Sequence, residues 1–160
     1  MERVNRILTS SLYQEYLRKN NLAEASRRFC HHNMGHFLDV ARIASILNEK
    51  EDYGQEQEII YAAALLHDIG RWRQYEDGTP HEKASADLAP AVLEASGFND
   101  VDRDRILTAI INHRDAAVKG EKSLSGLLYR ADKSSRPCFA CEMEKDCDWK
   151  KEKKNLKLLI

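Results

Sequence analysis

The stretch Ala62-Ala63-Ala64-Leu65-Leu66-His67-Asp68-Ile69-Gly70-Arg71 limits what this chain can become more than any other part of it. An alanine-rich apolar run enters the interior as a helix, meets an adjacent imidazole and carboxylate, and stops at Gly70, a usual C-terminal punctuation. Two titratable side chains at a buried helix end are costly unless something compensates them, and a divalent metal is a common compensation for such a pair. A polar capping pair is the other reading, and the dipeptide alone does not separate the two.

A chain of 160 residues fits one domain, able to bury about two-thirds of its unfolded surface. Only 7 Gly and 3 Pro accompany 32% charged and 42% hydrophobic residues, which suits a helical bundle rather than a sandwich or a disordered chain. The net charge of −1 provides no footprint for general nucleic-acid or membrane-surface binding, so a small or locally charged ligand is expected. No apolar run is long enough to span a bilayer, and the polar start Met1-Glu2-Arg3-Val4-Asn5 lacks a signal-peptide core. A cytoplasmic location is expected, where the four cysteines are thiols or metal ligands rather than disulfides.

The fold class expected from periodicity is all-α, a single-domain bundle. Apolar spacing predicts a helix from Arg3 to Arg18, broken at Asn20-Asn21, and a short helix from Ala23 to Phe29. Next comes a longer helix with Phe37, Val40, Ala41, Ala44 and Leu47 inward, its stripe widened by Leu38, Ile43 and Ile46. Glu49 to Gly54 reads as a connection, Gln55 to His67 as the alanine helix, and Arg71 to Pro80 as a loop rich in arginine and aromatics. Further helices are expected from His81 to near Gly97, from Asp102 to His113 with Ile106, Ile110 and Ile111 in the core, and from Glu121 to Arg136.

Histidine and aspartate recur at the inward edges of successive elements: His36, His67 with Asp68, His81, His113 and Asp132. Any one of them has a structural explanation; together they call for a shared partner, since four of the six histidines fall at these places. His32 lies one turn before His36 and is expected to reach the substrate or an outer water, whereas His31 is read as structural.

The segments His36-Phe37-Leu38-Asp39-Val40-Ala41, His67-Asp68-Ile69-Gly70 and Ala131-Asp132-Lys133 resemble, in order and helical context, the motifs of the HD superfamily of metal-dependent phosphohydrolases. The resemblance covers roughly residues 28 to 136 and implies that His36, His67, Asp68 and Asp132 hold one metal. His81 and His113 are similar to the extra histidines of the subgroup that binds a second metal, with Asp68 bridging. Asn112-His113 stands where members specialised for cyclic dinucleotides carry two histidines, and their Gly-Tyr-Pro signature is missing. In ligand spacing the chain resembles most the subgroup that includes hydrolases of dinucleoside polyphosphates, without fixing that substrate.

The donor set suits iron or manganese first, then cobalt, nickel or zinc, better than magnesium or calcium. Two such ions would activate a water for attack at phosphorus, with Asp68, Arg71 and Lys133 expected at the reacting centre. Arg71, Arg73, Lys83, Arg114 and Lys133 are expected to neutralise phosphate charge. The expected activity is hydrolysis of a nucleotide or other small phosphate ester. A di-iron oxygenase of the same fold and a non-catalytic metal-binding regulatory module are the alternatives. Residues 1–137 are read as the HD-type domain and 138–160 as a tail packed on it. In that tail Cys138, Cys141 and Cys147, with Cys30 from the start of the third helix, form a candidate structural zinc site.

Overall fold

Alanine decides how closely the helices can approach. In the computed structural model, which describes residues 1–158, helix α4 (Gln57–Leu66) runs through the centre, with Ala62, Ala63, Ala64, Leu65 and Leu66 entirely buried. Around it pack α1 (Glu2–Thr9), α3 (Met34–Glu51), α6 (His81–Ala95), α7 (Asp100–Asn112) and α8 (Leu124–Ser134), while α2 (Ser11–Ala23) and α5 (Arg71–Glu76) close the end where α4 stops. No strand occurs among the described residues, and no helix among them is long and apolar enough to cross a membrane.

The first helix breaks earlier than its periodicity suggests. Ser10 is extended, its hydroxyl accepts from the Tyr13 N–H, and α2 restarts there. Asn20 does not end that helix: it lies within α2, fully buried, its side chain turned to the core. The short helix expected from Ala23 to Phe29 is absent, because α2 ends at Ala23 and the chain runs irregularly to Asn33, whose side chain caps α3 by accepting from the His36 N–H.

Two further boundaries differ. Helix α3 continues to Glu51 and stops at Asp52, which turns left-handed at φ 54°. Residues 71–76 form α5 rather than a loop. Gly70 is no helix terminator here, since its φ of −93° is open to any residue; it is needed because a Cβ would stand 2.6 Å from the Ala84 carbonyl carbon and the Ser85 nitrogen on α6. Ile46 and Ile111, expected inside, are exposed.

Helix α8 runs back along α3. Ser135 and Asp132 meet His36 at the start of α3, and Arg130 pairs with Glu51 and Tyr53 at its far end. Beyond α8 the chain makes three single-turn 3-10 helices, Cys138–Ala140, Glu144–Asp146 and Lys151–Lys153. Asn155 fastens this segment by donating to the carbonyls of Lys133 (2.7 Å) and Arg136 (3.0 Å), and the Arg136 guanidinium stacks 4.2 Å over Trp149.

Candidate metal centre

Helix α4 delivers His67 and Asp68 into a tight turn between itself and α5, at 0% and 3% exposure. The Asp68 carboxylate is divided between two groups of imidazoles. Its Oδ2 lies 3.4 Å from His67 Nε2 and 4.0 Å from His36 Nε2, while its Oδ1 lies 3.3 Å from His81 Nε2 and 3.5 Å from His113 Nε2. Asp132 joins the first group, its Oδ1 3.6 Å from His36 Nε2 and 3.9 Å from His67 Nε2. Two clusters result, His36 with His67 and Asp132, and Asp68 with His81 and His113, each compact enough to hold one ion.

The protons are arranged for ligation. His67 Nδ1–H donates to the Ala64 carbonyl at 2.7 Å and His113 Nδ1–H to the Ile110 carbonyl at 2.6 Å, so both Nε2 lone pairs face the centre. His81 Nδ1 lies between Gln74 Oε1 at 2.6 Å and the Arg71 guanidinium at 2.7 Å. Lone pairs on nitrogen therefore point at carboxylate oxygens, an arrangement of acceptors against acceptors that a cation resolves. His36 Nε2, His67 Nε2 and Asp68 Oδ1 are buried without a hydrogen-bond partner, and the donor set fits a divalent transition metal.

Electrostatics agree. Burial pushes the His67 imidazole down to about 4 and that of His81 to about 3, keeping both neutral. Burial also opposes the charge on His113, but the Asp68 carboxylate outweighs it and raises that group. Asp68 and Asp132 stay ionised despite burial, Asp68 because the set of imidazoles around it draws its carboxyl down and Asp132 because the Lys133 ammonium does so first. Lys133 Nζ is bonded at 2.5 Å to Asp132 Oδ2, which leaves Oδ1 for the imidazoles.

A cavity of about 720 Å³ opens above the centre, with Arg71, Arg114 and Lys133 in its wall. Arg71 Nη1 lies 3.2 Å from His81 Nε2, and Arg114 donates to Glu82 at 3.1 Å. Arg73 and Lys83, expected to neutralise phosphate charge, stand outside the cavity wall. Arg73, on α5, turns to Asp77 and Asp87, Lys83 is exposed on α6, and neither lines the cavity.

His32 comes to the centre by a different route from the one expected. It precedes α3 instead of lying on it, yet its Nε2 is 3.7 Å from Asp68 Oδ2 and its Nδ1–H donates at 2.6 Å to Glu24. His31, equally outside the helix, is exposed at the cavity rim. Glu24, Asn20, Gln74, Arg27, Arg28 and Arg136 escaped the sequence reading. Glu24 alone carried a usable signal, as an acid just past the end of α2; the others depend on tertiary placement.

An all-helical bundle with a His-Asp turn at the end of its central helix and two His/carboxylate clusters sharing one aspartate defines a metal-binding domain of the His-Asp class. Residues 33–137 match the HD domain family, and the chain belongs to it, within a superfamily of metal-dependent phosphohydrolases. An uncharacterized protein of Clostridium beijerinckii is 45% identical over 158 residues, covering 99% of both chains. Ribonuclease Y 1 of Pediococcus pentosaceus is 28% identical over 102 residues, 64% of this chain but only 18% of that protein. No solved structure gives a significant match.

Proposed function

We propose that this protein hydrolyses a small phosphate ester, with a nucleotide as the favoured substrate, by attack of water at phosphorus in the cavity above Asp68. The observation that carries this reading is the division of one buried carboxylate between His67 with His36 on Oδ2 and His81 with His113 on Oδ1. His36, His67 and Asp132 with Asp68 would hold one divalent ion, and His81 and His113 with Asp68 a second, iron or manganese being favoured. Ions held there would supply a water of lowered pKa and charge to offset the oxygens of an in-line displacement.

The chain's own residues supply the rest. Arg71, beside His81 at the cavity wall, and Arg114 are positioned to hold phosphate oxygens, and Lys133 orients Asp132. Arg27, Arg28 and Arg136 extend the cationic wall outward, matching a substrate that carries more than one phosphate or a phosphate beside a polar group. The cavity has the size of a nucleotide pocket. The ribonuclease name of the Pediococcus relative accords with chemistry at a phosphoester, but the charge of −1 speaks for a small substrate over a polynucleotide.

The test is a phosphate-release panel of mono-, di- and polyphosphorylated nucleotides with protein reloaded in turn with iron, manganese, cobalt and nickel. Metal-dependent release from at least one nucleotide is expected. Oxygen consumption by the iron form with no phosphate release from any member would replace hydrolysis by oxygenase chemistry.

A further inference from the structure

Cys30, Cys138, Cys141 and Cys147 are the only cysteines of the chain, all reduced, and all four line the cavity. They come from opposite ends of the sequence. Cys30 lies in the irregular entry to α3, and the other three follow α8; the meeting of His36 with Asp132 brings those two places together. Thiols are scarce here, and chance does not readily gather every one of them beside a segment with an unusual need for support.

That need is visible in the tail. Between residues 138 and 158 the regular structure consists of three 3-10 helices of three residues, none with a buried side chain. Single turns have no intrinsic stability, and a segment without an apolar core is normally held by a disulfide or a metal. The tail nevertheless folds back on itself: Lys154 Nζ donates to the Glu144 carbonyl at 2.7 Å and to its carboxylate at 3.0 Å.

We infer that the four cysteines bind one zinc ion as a tetrathiolate that staples the tail to the entry of α3, independently of the chemistry at Asp68. Cys138 and Cys141 are joined by a turn in which the Cys141 N–H donates to the Cys138 carbonyl at 3.3 Å, the short Cys-x-x-Cys loop from which zinc sites are commonly built. Cys147 and Cys30 complete four-coordination. A zinc tetrathiolate carries two net negative charges, and the surroundings offset them: Arg136 acts on Cys30, and Lys154 on Cys147 and Cys138. Among the described residues the thiols do not form a group within 4.8 Å of one another, and zinc binding requires them to draw together on loading. The staple fixes one wall of the cavity, since Cys138, Cys141 and Trp149 all face it.

The experiment uses the full chain carrying His67→Ala, which weakens the histidine centre, purified without oxygen and analysed for zinc, iron and sulfide. About one zinc per chain is expected, lost on adding Cys141→Ser or Cys30→Ser. In wild-type protein, where His67→Ala folding is not at issue, Cys30→Ser should lower zinc by one per chain, and cobalt loading should give the intense visible bands of a tetrahedral thiolate. Chelation should raise proteolytic cleavage within residues 138–158 by about tenfold while the bundle stays intact. Four immediately reactive thiols with no zinc, or iron with acid-labile sulfide at these cysteines, would overturn the proposal.

Discussion

The side-chain amide of Asn20 grips both sides of the turn that carries Asp68: its Nδ2 donates to the Asp68 carbonyl at 2.9 Å and its Oδ1 accepts from the Trp72 N–H at 2.8 Å. One buried residue on α2 thus sets the angle at which the carboxylate leaves the end of α4 and ties that angle to the start of α5. Asn20→Ala removes both bonds and leaves two backbone groups unsatisfied in the interior, at a cost of about 2–4 kcal/mol. The melting temperature should fall by several degrees or more and metal affinity should drop with it. Thermal unfolding with and without metal checks both, and an unchanged affinity in a folded variant would show that the clamp does not position the site.

Glu24 is the group whose titration should mark acid stability. Burial disfavours its charge, but the His32 ring, the His32 N–H and the Tyr75 hydroxyl together hold its carboxyl down from the ordinary 4.5 to about 2. A folded value below the unfolded one means that its contribution is complete above pH 4.5 and drains away as the pH falls toward 2. Glu24→Gln should therefore cost on the order of 2 kcal/mol near neutral pH and flatten the acid limb of the stability curve. Denaturant melts at a series of pH values read this directly.

Gly70→Ala should be among the worst small substitutions in the chain. Its added methyl would stand 2.6 Å from α6 backbone, which cannot retreat without moving His81 and Ser85, whose hydroxyl accepts from the Gly70 N–H at 3.0 Å. A loss of about 3 kcal/mol, with impaired metal loading of the half that contains His81, is expected. Gly54→Ala is no fair control, since its φ is 65°; Gly120→Ala, with open space around it, should be nearly neutral.

The all-helical class was legible because apolar spacing and alanine content report directly on which faces meet. The His and Asp positions that gather around Asp68 were legible for another reason: ionisable groups at inward positions have few explanations. What escaped depends on partners distant in sequence. Asn20 looked like a helix breaker because asparagine usually is one; its buried bonds to Asp68 and Trp72 override that preference. Lys83 follows His81 by two residues on α6, which turns it to the opposite side of that helix, and Arg73 pairs with Asp77 and Asp87 instead. Glu24 and His32 are held together in irregular chain, where no periodicity exists to read.

His113→Ala should remove one metal and spare the other, because His113 faces Asp68 Oδ1 while His36, His67 and Asp132 keep their own cluster. Elemental analysis after full reconstitution is the check, and a variant with unaltered metal content would leave His113 outside the centre.

In the proposed reaction one buried carboxylate, Asp68, serves two metals. Asp68→Ala, reconstituted alongside wild type and measured for metal per chain and for metal-dependent phosphate release, tests it most directly. Two ions per wild-type chain, sharply reduced binding of both in the variant, and turnover abolished while helical circular dichroism is largely kept are expected. An Asp68→Ala protein with wild-type metal content and activity would contradict it.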